Sequence, residues 1–452
     1  MRVFMLGWEF PPYISGGLGT ACYGLTRALS RQETHITFVL PKAVCTERPD
    51  SPRHLFLMSP QMRRTSKVTV SAAHRDPYAL TDPILSGFTN VEFKTVPAGF
   101  NNPYTTTPST TIRSEHKHTG DQSLSNPLLL RQPKRPANLA YAGNLVAEST
   151  KYADLCLGLA RSQSFDLVHA HDWLTFPAGI AVAATTGKPL IVHIHSTEFD
   201  RSGQNIQQSI YDIERRGAHA AIRVIAVSEL TKSILIKRYK VNPTKIDVVY
   251  NGIGDGHLIP VAQATSNPIE SGDKIVLFLG RITMQKGPEY FITAAKKVLQ
   301  KFQGVTFVMA GHGDKADQVT QLADQHGISH KILFTGFLRG AEVDQIFRIA
   351  DAYVMPSVSE PFGMSALEAI SHDVPTIISK QSGVSEVLTH TLKVDFWDTD
   401  EIANKILAVL RHPPLAKTLR SHADQEIRSL TWDQAASKCR RVYETAMSTV
   451  PS

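Results

Sequence analysis

The sequence predicts an α/β protein of two domains, each built on a parallel sheet, and three observations carry that prediction. The chain has 452 residues, more than one hydrophobic core organises, so two domains of about 200 residues each are expected. Short β-rich apolar runs alternate with helical patterns along most of its length, as βα units around a parallel sheet require. Residues 251–272, rich in Gly, Pro, Ser and Asn, follow neither period and divide the alternation in two.

In the first half, strands are expected at residues 3–6, 35–40, 91–96, 166–169, 190–195, 223–227 and 245–250. The helix after the first strand shows Leu18, Ala21, Cys22, Leu25, Ala28 and Leu29 in a 3.6-residue stripe. The second half carries strands at 275–279, 306–310, 332–335, 352–355 and 376–379. Residues 101–135 are polar, Pro-punctuated and aperiodic, and read as a mobile or disordered insertion. Near the end, Ala435, Ala436, Cys439, Val442, Tyr443 and Met447 form a helical stripe with Thr431 placed as its N-cap. No strand pattern follows, so this helix is expected to pack back on the first domain. The division is then 1–252, 253–430 and a crossing helix over 431–452.

Composition narrows the function. A 42% hydrophobic and 20% charged chain is ordinary for globular protein, and no apolar run approaches the ~20 residues that span a bilayer. The apolar start breaks at Gly7 before Pro11 and Pro12, so it reads as a buried strand and not a signal peptide. Cys22, Cys45, Cys156 and Cys439 have no CxxC spacing and read as reduced thiols of a cytoplasmic protein. The net charge of +7 fits an anionic partner such as a nucleotide sugar. Its basic residues are spread, with no aromatic-flanked pattern for nucleic acid. Basic segments at 62–67 and 131–135 lack an apolar helical face, so peripheral membrane contact is not favoured.

Several motifs carry chemistry. Gly16, Gly17 and Gly19 join the first strand to the first helix, where backbone can approach an anion, although the spacing is not the dinucleotide fingerprint. A structural tight turn fits them equally well. Arg281 and Lys286 follow the strand at 275–279, beyond the carboxyl end where ligands sit in open α/β sheets, and two cations there neutralise a diphosphate. Gly363, Met364 and Ser365 open a helix whose free N–H groups suit phosphate oxygens. Glu360 and Glu368 flank that opening and suit hydroxyls on two parts of one ligand, or are a helix-dipole partner and a surface charge. His169 and His171 share one strand face, and His193 and His195 repeat the pattern. They suggest a metal site, with Asp172 and Glu198 nearby in sequence, but the diphosphate cations already supply what a metal would. Asp398 and Asp400 match D-x-D, yet precede a helix and read as an N-cap with a solvent charge.

Together, Gly280-Arg281, Lys286-Gly287, Glu360 and Glu368 resemble the donor signature of the retaining glycosyltransferases of family 4, and are similar to bacterial and archaeal glycogen and starch synthases. Further matches are Trp8 to Pro12, Gly16 to Gly19, His169 to Trp173, Val227-Ser228, Val249 to Ile253, Gly311-His312-Gly313 and Phe334 to Phe337. The resemblance spans nearly the whole chain outside about 45–140. It implies the GT-B fold: two Rossmann-like domains facing across a cleft, with a C-terminal helix returning to the first. It implies that Arg281 and Lys286 hold the donor diphosphate, Glu368 the ribose and Glu360 the transferred sugar. Backbone at Gly363, Met364 and Ser365, with Gly17, Gly311 and Phe337, completes the donor site. His171, or else His169, lines the reaction centre, and Glu9, Asp172 and His195 lie on the acceptor side.

The expected activity is metal- and cofactor-independent transfer, with retention, of a hexosyl unit, glucosyl favoured. The donor is an ADP-, UDP- or GDP-linked sugar and the acceptor a glucan or other saccharide. One departure is that glycogen synthases present a Lys just before the first glycine pair, where this chain has Tyr13-Ile14-Ser15. A lipid or small-molecule acceptor is the alternative. A carboxylate-pair hydrolase, a nucleotide-sugar epimerase and a non-catalytic sensor are the competing classes.

Overall fold

The computed structural model describes residues 1–10, 16–41, 91–95, 145–254, 273–338 and 340–449. The expected insertion, the basic segments at 62–67 and 131–135, the residues at 13–15 and most of the expected linker lie outside these.

The first domain comprises β1 (Arg2–Leu6), α1 (Gly17–Arg31), β2 (His35–Leu40), β3 (Val91–Thr95), α2 (Leu145–Ala160), β4 (Leu167–His171), α3 (Phe176–Thr186), β5 (Leu190–Ile194), α4 (Glu198–Ser202), α5 (Gln208–Ala220), β6 (Arg223–Ala226), α6 (Glu229–Tyr239) and β7 (Ile246–Val248). Among the described residues its seven strands form one parallel sheet in the order β3-β2-β1-β4-β5-β6-β7. Every residue of β4 and β5 is buried, as expected of central strands covered by helices on both faces.

The second domain runs through β8 (Lys274–Leu279), α7 (Pro288–Leu299), β9 (Val305–Ala310), α8 (Ala316–Gln325), β10 (Ile332–Gly336), α9 (Ala341–Ile349), β11 (Ala352–Met355), α10 (Met364–Ser371), β12 (Thr376–Ser379), β13 (Leu392–Val394), α11 (Thr399–Arg411) and α12 (Pro413–Ile427). Its six strands are ordered β10-β9-β8-β11-β12-β13. The reversal of strand order on either side of β8 opens a crevice beyond the carboxyl ends of the strands. β13 is an edge strand of three residues, too short to show a period.

α13 (Trp432–Thr449) returns to the first domain. Thr431 Oγ1 accepts from Gln434 N at 3.3 Å and caps it. Its buried stripe of Trp432, Ala435, Ala436, Cys439, Val442, Tyr443 and Ala446 joins the core beneath α1. The Trp432 ring lies against Gly24 so closely that a Cβ there would stand 2.2 Å from Cε2. Arg31 pairs with Asp433 at 2.8 Å across the same contact.

The domains also meet near the cleft. The Glu386 carboxylate accepts from the first two N–H groups of α6, Glu229 N at 2.9 Å and Leu230 N at 2.7 Å, and from the Tyr250 hydroxyl at 3.0 Å. Asp200 on α4 accepts from the Ser359 hydroxyl. Met364 packs against apolar clusters of both domains.

Candidate active site

On the second domain, the loops after β8, β9 and β10 are pressed together. Gly280 N donates to Ala310 O at 2.9 Å and Gly311 N to Gly336 O at 2.8 Å. Gly311 holds φ +147°, and a Cβ there would stand 1.8 Å from Gly280 O, so only glycine fits. Phe337, just past β10, is 44% exposed, unusual for a large apolar ring.

Arg281 donates to Gln285 Oε1 at 3.1 Å. Lys286 ends a 3₁₀ turn over Met284–Lys286, and Gly287 then turns left-handed (φ +63°) against Pro356 O. The turn brings the Lys286 ammonium onto the Glu360 carboxylate, which also accepts from Ser357 Oγ at 3.1 Å. The Glu360 side chain is 8% exposed and that of Lys286 17%. This is a nearly dry ion pair whose cation still reaches solvent.

Gly363, at φ +114°, precedes α10, so Met364 and Ser365 occupy its first turn, and the Ser365 hydroxyl accepts from Tyr353 at 2.7 Å. Glu368 lies one turn further on. Its carboxyl is raised above the usual range, first by burial, with Asp344 adding and His372 and Lys286 opposing. No hydrogen bond to that carboxylate occurs among the described residues. Asp398, by contrast, caps α11 by accepting from Glu401 N at 2.8 Å, and Asp400 pairs with Lys297. The D-x-D match is therefore a helix start.

On the first domain the candidates gather at the carboxyl ends of β1, β4 and β5, which are neighbours in the sheet. Gly17 opens α1, exposed, with nothing within 4 Å of where its Cβ would be. Glu9, past β1, is buried. Asp172 sits at φ +57° and accepts from His195 N at 2.7 Å. Burial pushes its carboxyl up to about 7, although the His195 hydrogen bond and Arg201 oppose. His171 is fully buried and its Nδ1 lies 2.9 Å from His195 Nε2. His195 alone of the four cluster histidines is partly exposed. His169 turns instead to the Tyr443 hydroxyl of α13, at 2.7 Å. Burial lowers all four imidazoles, His169 and His195 to about 3, so they are neutral at neutral pH.

Sequence reasoning missed Glu386 and Asp200. Nothing along the chain signals that a carboxylate will cap a helix of the other domain. Glu198, noted in the sequence for its nearness to the histidines, instead belongs to a buried group with Glu214, Arg201 and Tyr239 that no local pattern signals. There Arg201 donates to both glutamates and Tyr239 to Glu214.

The architecture is two parallel-sheet domains with a cation–carboxylate crevice in the second, and comparison with known proteins places it among the glycosyltransferases. A family model described as Glycosyltransferase Family 4 matches residues 118–255, and one described as Glycosyl transferases group 1 matches residues 262–426. One match falls on each half, and the chain belongs to this glycosyltransferase family, with the GT-B fold. An uncharacterized glycosyltransferase of Methanocaldococcus jannaschii is 27% identical over 99% of each chain. The glycogen synthase of Mycobacterium tuberculosis is 26% identical over 99% of this chain and 95% of its own. Among solved structures, sucrose-phosphate synthase of Thermosynechococcus elongatus superposes with a TM-score of 0.70 at 17% identity over 99% of both chains. Anabaena HepE, in complex with UDP and glucose, gives 0.65 at 16% identity over 98% of this chain and 100% of its own.

Proposed function

We propose that this glycosyltransferase moves a glucosyl unit from a nucleoside-diphosphate sugar to a saccharide acceptor, with retention and without a metal at the diphosphate. The observation that carries the reading is the Lys286–Glu360 pair beside the Glu368 carboxylate, which has no hydrogen bond among the described residues, in the crevice of the second sheet. Lys286 and Arg281 neutralise the leaving diphosphate, which gains charge as the glycosidic bond breaks. Glu360 accepts from hydroxyls of the transferred sugar, and Glu368 from those of the ribose. The N–H groups at Gly363, Met364 and Ser365 face the distal phosphate, Gly17 approaches it from the first domain, and Gly311 and Phe337 border the nucleoside. His195 meets the sugar, with His171 behind it as a positioning residue, and Glu9 and Asp172 border the acceptor. In retention the acceptor oxygen bonds to the anomeric carbon on the leaving-group face, and a donor phosphate oxygen takes its proton.

The glycogen synthase relative favours a glucan acceptor. D-inositol 3-phosphate glycosyltransferase of Segniliparus rotundus, 23% identical over 70% of this chain, supports a small-molecule acceptor as the second reading. Thermal shift with ADP, UDP and GDP tests the donor, since a ligand at 100 times its Kd stabilises by about 2.7 kcal/mol. Product analysis with the glucosyl donor and glycogen or inositol phosphate then separates the acceptors. No shift with any nucleotide refutes the donor site.

A further inference from the structure

The first sheet holds a cluster of imidazoles of which the proposed transfer accounts for His195 and His171 but not for His169 or His193. His169 and His171 close β4, and His193 lies opposite His171 in register on β5. Their ring centroids are 4.3, 5.2 and 5.4 Å apart, and none of the three residues is more than 1% exposed. Buried polar atoms are ordinarily hydrogen-bonded. Yet His169 Nε2, His171 Nε2 and both ring nitrogens of His193 have no hydrogen-bond partner among the described residues.

The bonds that do exist make this more specific. One tautomer assignment has His169 Nδ1–H donating to Tyr443 Oη and His171 Nδ1–H donating to His195 Nε2. Both Nε2 atoms then carry a lone pair, and His193 carries one in either tautomer. Three acceptors thus lie together in a dry interior, and the one N–H that His193 carries beside its lone pair also has no partner among the described residues.

We propose that His169, His171 and His193 form a site for a d-block dication of the zinc class. One ring nitrogen from each lies within 4.8 Å of the other two. Bonds of about 2.0–2.1 Å in a tetrahedral site place ligand nitrogens roughly 3.4 Å apart, so binding requires the three rings, stacked within 29° of one another, to turn about their side-chain torsions. Neutral imidazoles select Zn²⁺, Co²⁺, Ni²⁺ or Cu²⁺ over Mg²⁺ or Ca²⁺. Metal-bound histidines donate their other N–H to an outer group that fixes the ring, the part Tyr443 and His195 play here. Partly exposed His195 marks the side from which an ion enters. Because Tyr443 belongs to α13, the ion also ties the crossing helix to β4 and β5. The site is on the first domain, apart from the donor cations on the second, and although it shares His171 with the proposed transfer, metal binding is read without any assay of transfer.

The test is titration of the chelator-treated full chain with Co²⁺, followed by the visible d–d bands of an ion held by the three imidazoles with water in the fourth position. We expect one equivalent to bind, Zn²⁺ to displace it, and the melting temperature to rise with either ion. His193→Ala should abolish the bands, Tyr443→Phe should weaken binding by about 10–100-fold, and Cys22→Ser should leave it unchanged. The serine variant discriminates because Cys22, His171 and His195 form a neighbouring triad of potential ligands. Absence of stoichiometric bands in the parent chain overturns the proposal. So does binding that survives His193→Ala but is lost in Cys22→Ser. Should His193→Ala fail to fold, Tyr443→Phe decides, and undiminished affinity there refutes the assignment.

Discussion

Replacing Lys286 by alanine should harm the protein in two separable ways. The ammonium neutralises Glu360, whose side chain is 8% exposed and whose other described partner is the Ser357 hydroxyl at 3.1 Å. Removing one member of a fully buried pair costs about 3–5 kcal/mol. Lys286 keeps 17% exposure, so water relieves part of that and about 2–3 kcal/mol is expected. At roughly 2–4 °C per kcal/mol for a domain of this size, the melting temperature should fall by about 4–12 °C. The catalytic effect is distinct. The charge that Lys286 faces grows as the diphosphate leaves, so kcat should fall about 10²–10³-fold, by analogy with loss of one oxyanion donor at ~2.7–4 kcal/mol. Steady-state kinetics at a temperature where the variant is fully folded separates the two. Lys286→Met combined with Glu360→Gln removes the orphaned charge and should recover the melting temperature while turnover stays low. A Lys286→Ala enzyme within threefold of parental kcat, once folded, refutes the diphosphate assignment.

Glu368→Ala should raise the donor KM about tenfold with little change in kcat, because ribose hydroxyls do not change during transfer and a charged hydrogen bond is worth ~1.5 kcal/mol. Burial raises the Glu368 carboxyl above 4.5 and only its ionised form accepts two hydroxyls. Donor affinity should therefore be full above the raised value and decline as pH falls through it; a Glu368→Gln titration as steep as the parent's refutes this. Transfer should persist in EDTA, and activity lost to chelation and restored by magnesium or manganese would contradict the cation pair as the diphosphate's sole counter-charge. Gly24→Ala, whose Cβ would stand 2.2 Å from Trp432 Cε2, should destabilise by about 1–3 kcal/mol through overpacking, read by thermal unfolding. An unchanged midpoint means that α13 is free to shift.

Of the thirteen strands among the described residues twelve were legible, most of them as apolar runs bounded by a turn, and β7, itself three residues, because the apolar pattern continues through Val249 and Tyr250. β13, three residues with Lys393 at its centre, offers no such pattern. The donor-side candidates were legible for a local reason: ligand groups in an open α/β sheet follow strand ends, and Arg281, Lys286 and Glu360 each follow one. What depends on packing between distant segments was not. Period two puts His169 and His171 on one face, but only the folded sheet shows His171 buried behind His195. Nothing in Gly311 itself distinguishes clearance for Gly280 O from clearance for a ligand. The Glu386 cap on α6 pairs residues 157 apart, beyond any local rule.

The return of α13 has a consequence for how the chain is made. Residues 432–449 contribute Trp432, Cys439 and Tyr443 to the core that α1 and β1 begin, so that core lacks a wall while all the intervening sequence is being synthesised. Domains ordinarily fold in turn as they leave the ribosome, but here the earlier one waits for the later one. During that interval α1 exposes Gly24, Leu25 and their neighbours as a bare apolar groove. A nascent chain arrested before Trp432 should therefore engage holding chaperones through its first domain, and be released from them only when the final helix emerges.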